Sequence, residues 1–224
     1  MAKRGEADTL AYGVYQEMRT DILSGRLVPG ERLKPAELSQ RFNVSVGVVR
    51  EALTRLAEQH LVRGEHNRGF QVVSLSLTEL SQLTLARKIN EGTALRLSIE
   101  HGDVAWEGEV LAAHHLLANT PVYPYDDPEH TNDEFSAAHE RYHFTLMQAC
   151  DNVYLLDICH RLFDASELYR RWSTSGGKRR NVKQEHREIM EAALARRTDE
   201  AVELYERHIE RTASVIEHRL TVPA

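Results

Sequence analysis

Residues 37–73 read ELSQRFNVSVGVVREALTRLAEQHLVRGEHNRGFQVV, and this stretch decides the fold of the N-terminal part of the chain. Pro35 suits the first turn of a short helix, which Asn43-Val44-Ser45 ends. Ser45 is also a suitable N-cap for a second helix. One face of that second helix is apolar, with Val48, Val49, Ala52, Leu53 and Leu56. Two helices joined by a turn of about three residues form a helix-turn-helix.

The segments on either side of the helix-turn-helix predict the rest of one small domain. Upstream, residues 9–24 carry apolar residues at a spacing of four, which predicts a helix that Gly25 ends. After His60 the period changes, and two short strands, LVR and FQVV, enclose the polar loop GEHNRG. Such a hairpin is a wing. We therefore predict a winged helix-turn-helix domain over residues 10–74.

The rest of the chain is predicted to be entirely helical. Residues 77–101 form one long helix that Gly102 ends, and residues 104–118 form a second. Further helices are predicted at about 133–150, 152–172, 181–196 and 199–219. The fold class is therefore mainly α, with a helical-bundle domain over residues 77–219.

Composition places the protein among ordinary globular chains. The 224 residues are 42% hydrophobic and 28% charged, and no run approaches the roughly 18 to 20 apolar residues that span a bilayer. The start, MAKRGEADTL, is not followed by an apolar stretch, so it does not read as a secretory signal. We expect a cytoplasmic protein without a membrane partner, in which Cys150 and Cys159 are unpaired core thiols.

Charge is distributed unevenly between the two parts of the chain. Residues 1–75 carry 11 Lys and Arg against 9 Asp and Glu, a net charge of +2, whereas the other 149 residues carry 17 against 25, a net charge of −8. A polyanion would therefore be attracted to the first part and repelled by the second. This imbalance is weak by itself, and the case for nucleic-acid binding depends on the helix-turn-helix.

Four histidines predict a metal site in the helical domain. His139 and His143 lie four residues apart on a predicted helix, so both project from one face. His186 and His208 belong to the last two predicted helices. Imidazoles that converge from three helices in the interior of a bundle would bind a divalent cation.

The same segment also matches a peptidase motif. Residues 139–143, HERYH, satisfy H-E-x-x-H, in which two histidines hold zinc and the glutamate activates water. The metzincin continuation fails, because Leu146 and Ala149 stand where a glycine and a third histidine are required. A zinc-dependent hydrolase is thus an alternative, although we predict that the protein is not an enzyme.

Several segments together resemble the GntR family of bacterial regulators. ILSGRLVPGERL, ELSQRFNVS, VREALTRLAEQHLV and NRGFQVV follow the order and spacing of the family through residues 14–73. The match continues more loosely over 80–218 and indicates the FadR-like branch with an FCD effector domain. The segment ARKINEGTALRLSIEHGD is also similar to carbon-starvation or glutarate-responsive regulators.

The resemblance implies how the winged helix would contact DNA. The helix after Ser45 would enter the major groove, with Ser45, Val46 and Gly47 near the bases. Arg50 matches the recognition arginine of the family and would contact a base or a phosphate; alternatively it pairs with Glu51 on the surface. Val46 stands where many relatives have arginine, so the operator sequence should differ. The wing residues expected in the minor groove are His66, Asn67, Arg68 and Gly69. Three further cations either contact phosphates or are ordinary surface charges: Arg32, Lys34 and Arg41.

The resemblance also bears on the helical domain. Metal-binding members use a carboxylate, a histidine four residues later and one histidine on each of two later helices. His143, His186 and His208 match, whereas His139 stands where aspartate is usual. The expected cofactor is a divalent ion, zinc or nickel.

A second set of residues is expected at the effector. Arg87, Asn90 and Glu91 would face a small carboxylate, unless Arg87 and Glu91 merely pair on the surface.

These observations predict a transcription regulator. We expect a homodimeric repressor that binds double-stranded operator DNA. A small carboxylate that binds at the metal would release the repressor from the DNA. Besides the hydrolase, a regulator in which the metal ion is itself the signal is the other alternative.

Overall fold

The computed structural model describes residues 2–23, 26–65, 69–123, 132–173 and 181–221. The described chain is mainly helical with one small sheet, which confirms the predicted fold class. It forms two compact units, Met1–Ser76 with Asp164–Trp172, and Leu77–Phe163 with Ser173–Ala224. The predicted domain limits, 10–74 and 77–219, stay predictions, and the sequence did not indicate that residues 164–172 pack with the first unit.

The first unit is a three-helix module with a small antiparallel sheet. Its elements are α1 (Ala2–Leu23), β1 (Arg32–Leu33), α2 (Pro35–Arg41), α3 (Val46–Glu58), β2 (Val62–Glu65) and β3 (Gly69–Val72). The strand order is β1-β3-β2, with Arg32 opposite Gln71 and Val62 opposite Val72. The hairpin of β2 and β3 is the predicted wing. Strand β1 was not predicted, because two residues are too few to show an alternating pattern.

The core of this unit follows the apolar spacing of its helices. Met18 and Ile22 of α1 and Leu53 and Leu56 of α3 are completely buried, whereas Leu10, on the same predicted face of α1, is exposed. Each fully buried aliphatic side chain contributes about 1.5 to 3 kcal/mol to folding. Ser45 is the N-cap of α3, because its side chain accepts a hydrogen bond from the backbone N–H of Val48.

The end of a helix from further along the chain completes this unit. Leu168 is buried in its apolar core, and the hydroxyl of Tyr169 lies 3.4 Å from the backbone nitrogen of Ser76. Glu167 is also buried and accepts hydrogen bonds from Arg170, at 2.6 Å, and from Arg171. A buried carboxylate is stable in such a position because two guanidinium groups compensate its charge.

The second unit is the predicted helical bundle. Its elements are α4 (Leu77–His101), α5 (Val104–Asn119), α6 (Asp133–Met147), a 3-10 turn (Gln148–Cys150), the first part of α7 (Val153–Ser173), α8 (Val182–Leu194) and α9 (Thr198–Thr221). Helix α6 was expected to continue to residue 150. The chain instead tightens into the 3-10 turn, and Asp151 follows in the left-handed conformation with φ of 54°.

Polar caps and one glycine set the helix ends in this unit. Asp103 and Asn132 cap α5 and α6, accepting from the backbone N–H groups of Trp106 and Glu134. A Cβ on Gly102 would lie 2.4 Å from the ring of Trp106, so only glycine fits between α4 and α5. Cys150 and Cys159 are buried and unbridged. No helix within the described ranges has the length and apolar character needed to cross a membrane.

Candidate metal centre and nucleic-acid interface

Four histidine side chains meet inside the helical unit. His139 and His143 lie one turn apart on α6, His186 lies on α8 and His208 on α9. All four are buried, and one ring nitrogen from each lies within 4.8 Å of the others. The structure therefore brings together the four residues that the sequence predicted.

The geometry and the donor set of this histidine cluster fit a divalent cation. The Nε2 atoms of His139 and His143 are 3.1 Å apart, and the ring centroids of His186 and His208 are 4.6 Å apart. Two nitrogen ligands of a tetrahedral zinc ion lie roughly 3.3 Å from each other, given the usual zinc–nitrogen bond lengths. Nδ1 of His139 and Nε2 of His186 are buried and take part in no hydrogen bond among the described atoms. The cluster could hold a metal ion.

Hydrogen bonds anchor two of the four rings from outside the cluster. Nδ1 of His143 lies 2.9 Å from the hydroxyl of Tyr205, and that hydroxyl donates to Glu91 at 2.8 Å. Nδ1 of His208 lies 2.9 Å from a carboxylate oxygen of Glu185. Sequence reasoning missed Tyr205 and Glu185. Tyr205 precedes His208 by three residues, so its helical spacing could have indicated it, whereas Glu185 directly precedes His186 and shows no such spacing.

The predicted effector residues form a buried ion pair. Arg87 donates to both oxygens of Glu91, at 2.6 and 3.0 Å, and Glu91 is completely buried. The alternative of an Arg87–Glu91 pair is thus correct in its partners, although the pair is buried rather than at the surface. The Asn90 amide donates to the backbone oxygen of Ala86 in its own helix. The guanidinium of Arg87 also lies over the ring of Phe163, which contacts His139.

The residues of α3 that were predicted to contact DNA lie at the surface of the first unit. Val46, Gly47 and Arg50 are exposed. Glu51 pairs with Arg55 one turn later, at 2.8 Å, rather than with Arg50. Among the residues that the structure describes, Arg50 forms no ion pair. Its side chain is therefore available for contact with DNA.

The other predicted DNA contacts differ in their surroundings. Arg32 is exposed on β1, whereas Lys34 pairs with Glu37 at 2.7 Å. Arg41 pairs with the buried carboxylate of Asp21, which Arg26 also contacts. A cation with such a partner is less available to a phosphate.

The wing is described only in part. Gly69 begins β3 with φ of 90°, a conformation that favours glycine. His66, Asn67 and Arg68 lie outside the described residues.

A helix-turn-helix with a wing, followed in the chain by a helical bundle, is the architecture of a class of two-domain transcription regulators. Residues 10–72 match the family model for bacterial regulatory proteins of the gntR family, and residues 82–211 match the FCD domain. The protein belongs to the GntR family and carries an FCD domain.

Relatives and solved structures agree with this assignment. The chain is 35% identical to the HTH-type transcriptional regulator BphR of Paraburkholderia xenovorans, over 93% of this chain and 85% of BphR. It is 33% identical to the HTH-type transcriptional repressor GlaR of Escherichia coli, over 87% and 90% of the two chains. A GntR regulator from Rhodococcus sp. RHA1 has the same fold, with a TM-score of 0.72 at 22% identity over 93% and 97% of the chains.

The family assignment decides between regulator and hydrolase. The family and its relatives are transcriptional regulators, so this protein is a regulator and not an enzyme.

Proposed function

We propose that the protein is a homodimeric repressor whose release from operator DNA is controlled by a small carboxylate at a metal site. The winged helix within residues 10–74 would read the DNA, and the helical domain within 77–219 would bind metal and effector. The buried cluster of His139, His143, His186 and His208 carries this proposal. The relative named as a repressor, GlaR, supports the direction of control.

The metal that we propose for this site is zinc or nickel. Four imidazole nitrogens suit zinc, copper, iron and nickel, and they do not suit magnesium or calcium, which prefer oxygen. When bound, the cation would supply a positive charge that attracts a carboxylate. Because His139 replaces the usual carboxylate, the four side chains together bring no negative charge to the site. An anionic effector would therefore be attracted more strongly than at a site with a carboxylate ligand.

Metal content is the first experiment. The protein should be purified without a polyhistidine tag and its metal content measured by elemental analysis. We expect close to one zinc or nickel per chain, or uptake of one on titration. His186→Ala should lose this ion, whereas His115→Ala, on the exposed surface of α5, should keep it. A wild-type protein that binds no divalent ion would contradict the proposal.

Measurements of operator binding then distinguish a regulator that responds to a carboxylate from one that responds to the metal ion itself. Affinity for a duplex from upstream of the protein's own gene should be measured with metal alone, with carboxylate alone and with both. A panel of dicarboxylates and hydroxy acids, first screened by thermal shift on metal-loaded protein, supplies the probes. Release that requires both metal and carboxylate supports the proposal. Release by metal alone would instead indicate that the ion is the signal.

A further inference from the structure

The hydroxyl of Tyr205 occupies a central position between two buried groups. Tyr205 is completely buried on α9, and its hydroxyl lies 2.8 Å from Oε2 of Glu91 and 2.9 Å from Nδ1 of His143. It therefore connects the carboxylate that Arg87 holds with one ring of the histidine cluster. Neither the helical periodicity nor the proposed function assigns a role to this side chain.

The protons in this chain of hydrogen bonds are determined by its two ends. Glu91 accepts from Arg87 at both of its oxygens, so it is a carboxylate and can only accept. The single proton of the Tyr205 hydroxyl is then donated to Glu91. The contact between that hydroxyl and His143 is a hydrogen bond only if Nδ1 of His143 carries the donated proton.

A proton on Nδ1 leaves Nε2 of a neutral imidazole with its lone pair. Nε2 of His143 is the atom that lies 3.1 Å from Nε2 of His139, inside the cluster. Resting on the metal site proposed above, we infer that Tyr205 is a positioning residue. Through Glu91 it fixes His143 as the Nδ1–H tautomer and aims Nε2 at the metal before the ion arrives.

A second ring of the cluster has a comparable partner. The carboxylate of Glu185 accepts from Nδ1 of His208 at 2.9 Å, which also leaves Nε2 of that ring for a metal. Partners of this kind orient the ligands of metal sites, and their removal typically lowers metal affinity about 10- to 100-fold. Tyr205 differs from Glu185 because it has no charge and depends on Glu91 for its orientation.

The variant Tyr205→Phe tests the inference, with Tyr142→Phe as its matched control. Both tyrosines are completely buried beside His143, but the Tyr142 hydroxyl donates to the backbone oxygen of His186 and not to a ring nitrogen. Affinity for Zn²⁺ should be measured by competition with a chromophoric chelator. We expect Tyr205→Phe to weaken binding about 10- to 100-fold, and Tyr142→Phe to leave it unchanged. Equal affinities in wild type and Tyr205→Phe would overturn the inference.

The tautomer of His143 gives a readout that needs no metal. Long-range ¹H–¹⁵N NMR spectra of the metal-free wild type, assigned with His143→Gln, should show His143 protonated at Nδ1. In Tyr205→Phe the same signals should shift towards a mixture of both tautomers. A wild-type His143 protonated at Nε2 would refute the inference, even if Tyr205→Phe failed to fold. If the wild type binds no metal but has the Nδ1–H form, the proposed function fails and the proton arrangement stands.

Discussion

At the scale of single residues, Arg50 is the side chain on which we expect operator recognition to depend most. It is exposed on α3 and forms no ion pair within the described chain. A guanidinium that contacts guanine contributes about 1 to 3 kcal/mol per half-site. The proposed dimer would lose this contact at both half-sites of the operator. We therefore predict that Arg50→Ala weakens operator binding about 30-fold or more. Fluorescence anisotropy with a labelled duplex at physiological salt measures this.

The control for Arg50 is an exposed arginine of the helical domain. Arg161 pairs with Asp157 on the surface of α7, so Arg161→Ala removes the same charge from the second unit. We expect it to bind the operator as the wild type does. The assignment of Arg50 fails if Arg50→Ala, with an unchanged circular dichroism spectrum, retains full affinity.

A substitution of Gly47 should affect the stability of the fold and the affinity for DNA in opposite directions. A Cβ on Gly47 would meet only the Ser45 hydroxyl, at an ordinary 3.7 Å, and the residue is exposed near the start of α3. Gly47→Ala should therefore raise the free energy of unfolding by up to about 1 kcal/mol, the helix-propensity difference. If the backbone of Gly47 approaches DNA closely, operator affinity falls in the same variant.

Urea denaturation and anisotropy, on one preparation, measure both effects of Gly47→Ala. Gly13→Ala on α1 is the comparison, because its added Cβ would meet nothing within 4 Å. Both variants should gain stability, and only Gly47→Ala should lose affinity. Unchanged affinity in Gly47→Ala would show that the start of α3 does not lie close to the bases.

His139 is the residue that distinguishes the proposed metal site from the pattern that the family resemblance implies. His139→Asp would add a negative charge beside the ion, and this charge would weaken the attraction for an anionic effector. We expect the variant to keep its metal and to need a higher carboxylate concentration for release from the operator. Isothermal titration of metal-loaded protein with the active carboxylate measures the change. Tighter carboxylate binding in His139→Asp would contradict this reasoning.

At this scale the sequence predicted which histidines come together, but it did not predict the side chains that form hydrogen bonds with their rings. His139 and His143 follow from one helical spacing, and His186 and His208 from the family pattern. The neighbours of the rings depend on how α4, α6 and α9 pack against one another, which no local pattern contains. For Glu91 the sequence predicted a contact with the effector, which stays a prediction, and it did not predict the hydrogen bonds that Glu91 accepts from Arg87 and Tyr205.

At the scale of elements, the last part of α7 makes the first unit sensitive to pH. Burial raises the pKa of Glu167, but Arg170 and Arg171 outweigh burial and hold that pKa below its ordinary value of 4.5. A lowered pKa in the folded state stabilises the fold above the ordinary value, and this stabilisation is lost as the pH falls through the lowered pKa. We expect Glu167→Gln to cost about 3 kcal/mol at pH 7.

The difference in the free energy of unfolding between wild type and Glu167→Gln should shrink as the pH falls below about 4. Urea denaturation at a series of pH values from 7 to 3 measures it. Glu203→Gln, an exposed position on α9, serves as the comparison and should differ little from wild type throughout. If the difference in the free energy of unfolding stays constant down to pH 3, Glu167 is not the source of the pH dependence.

The elements were predictable where they are long and periodic. All six helices of the second unit were expected near their observed positions, because apolar residues repeat along each of them. The short strand β1 and the early end of α6 were not expected, since they depend on pairing with β3 and on the left-handed Asp151. That α7 divides between the two units has no signature in its own sequence.

For the whole molecule, metal binding should appear as thermal stability. A ligand that binds only the folded state at 100 times its dissociation constant adds about 2.7 kcal/mol. For a chain of this size that corresponds to a rise in Tm of about 5 to 10 °C. Calorimetry with and without zinc should show the rise in wild type and not in His186→Ala. An equal rise in both proteins would mean that the zinc binds elsewhere.

The absence of a carboxylate among the four clustered side chains has a practical consequence for every assay of this regulator. With a divalent ion in place, the site would also attract anions other than the effector, such as phosphate or citrate. In operator titrations, phosphate from the buffer would then compete with the carboxylate effector for the ion. Chloride-free zwitterionic buffers are therefore the proper reference state, and the ranking of effectors should be repeated at two buffer anions.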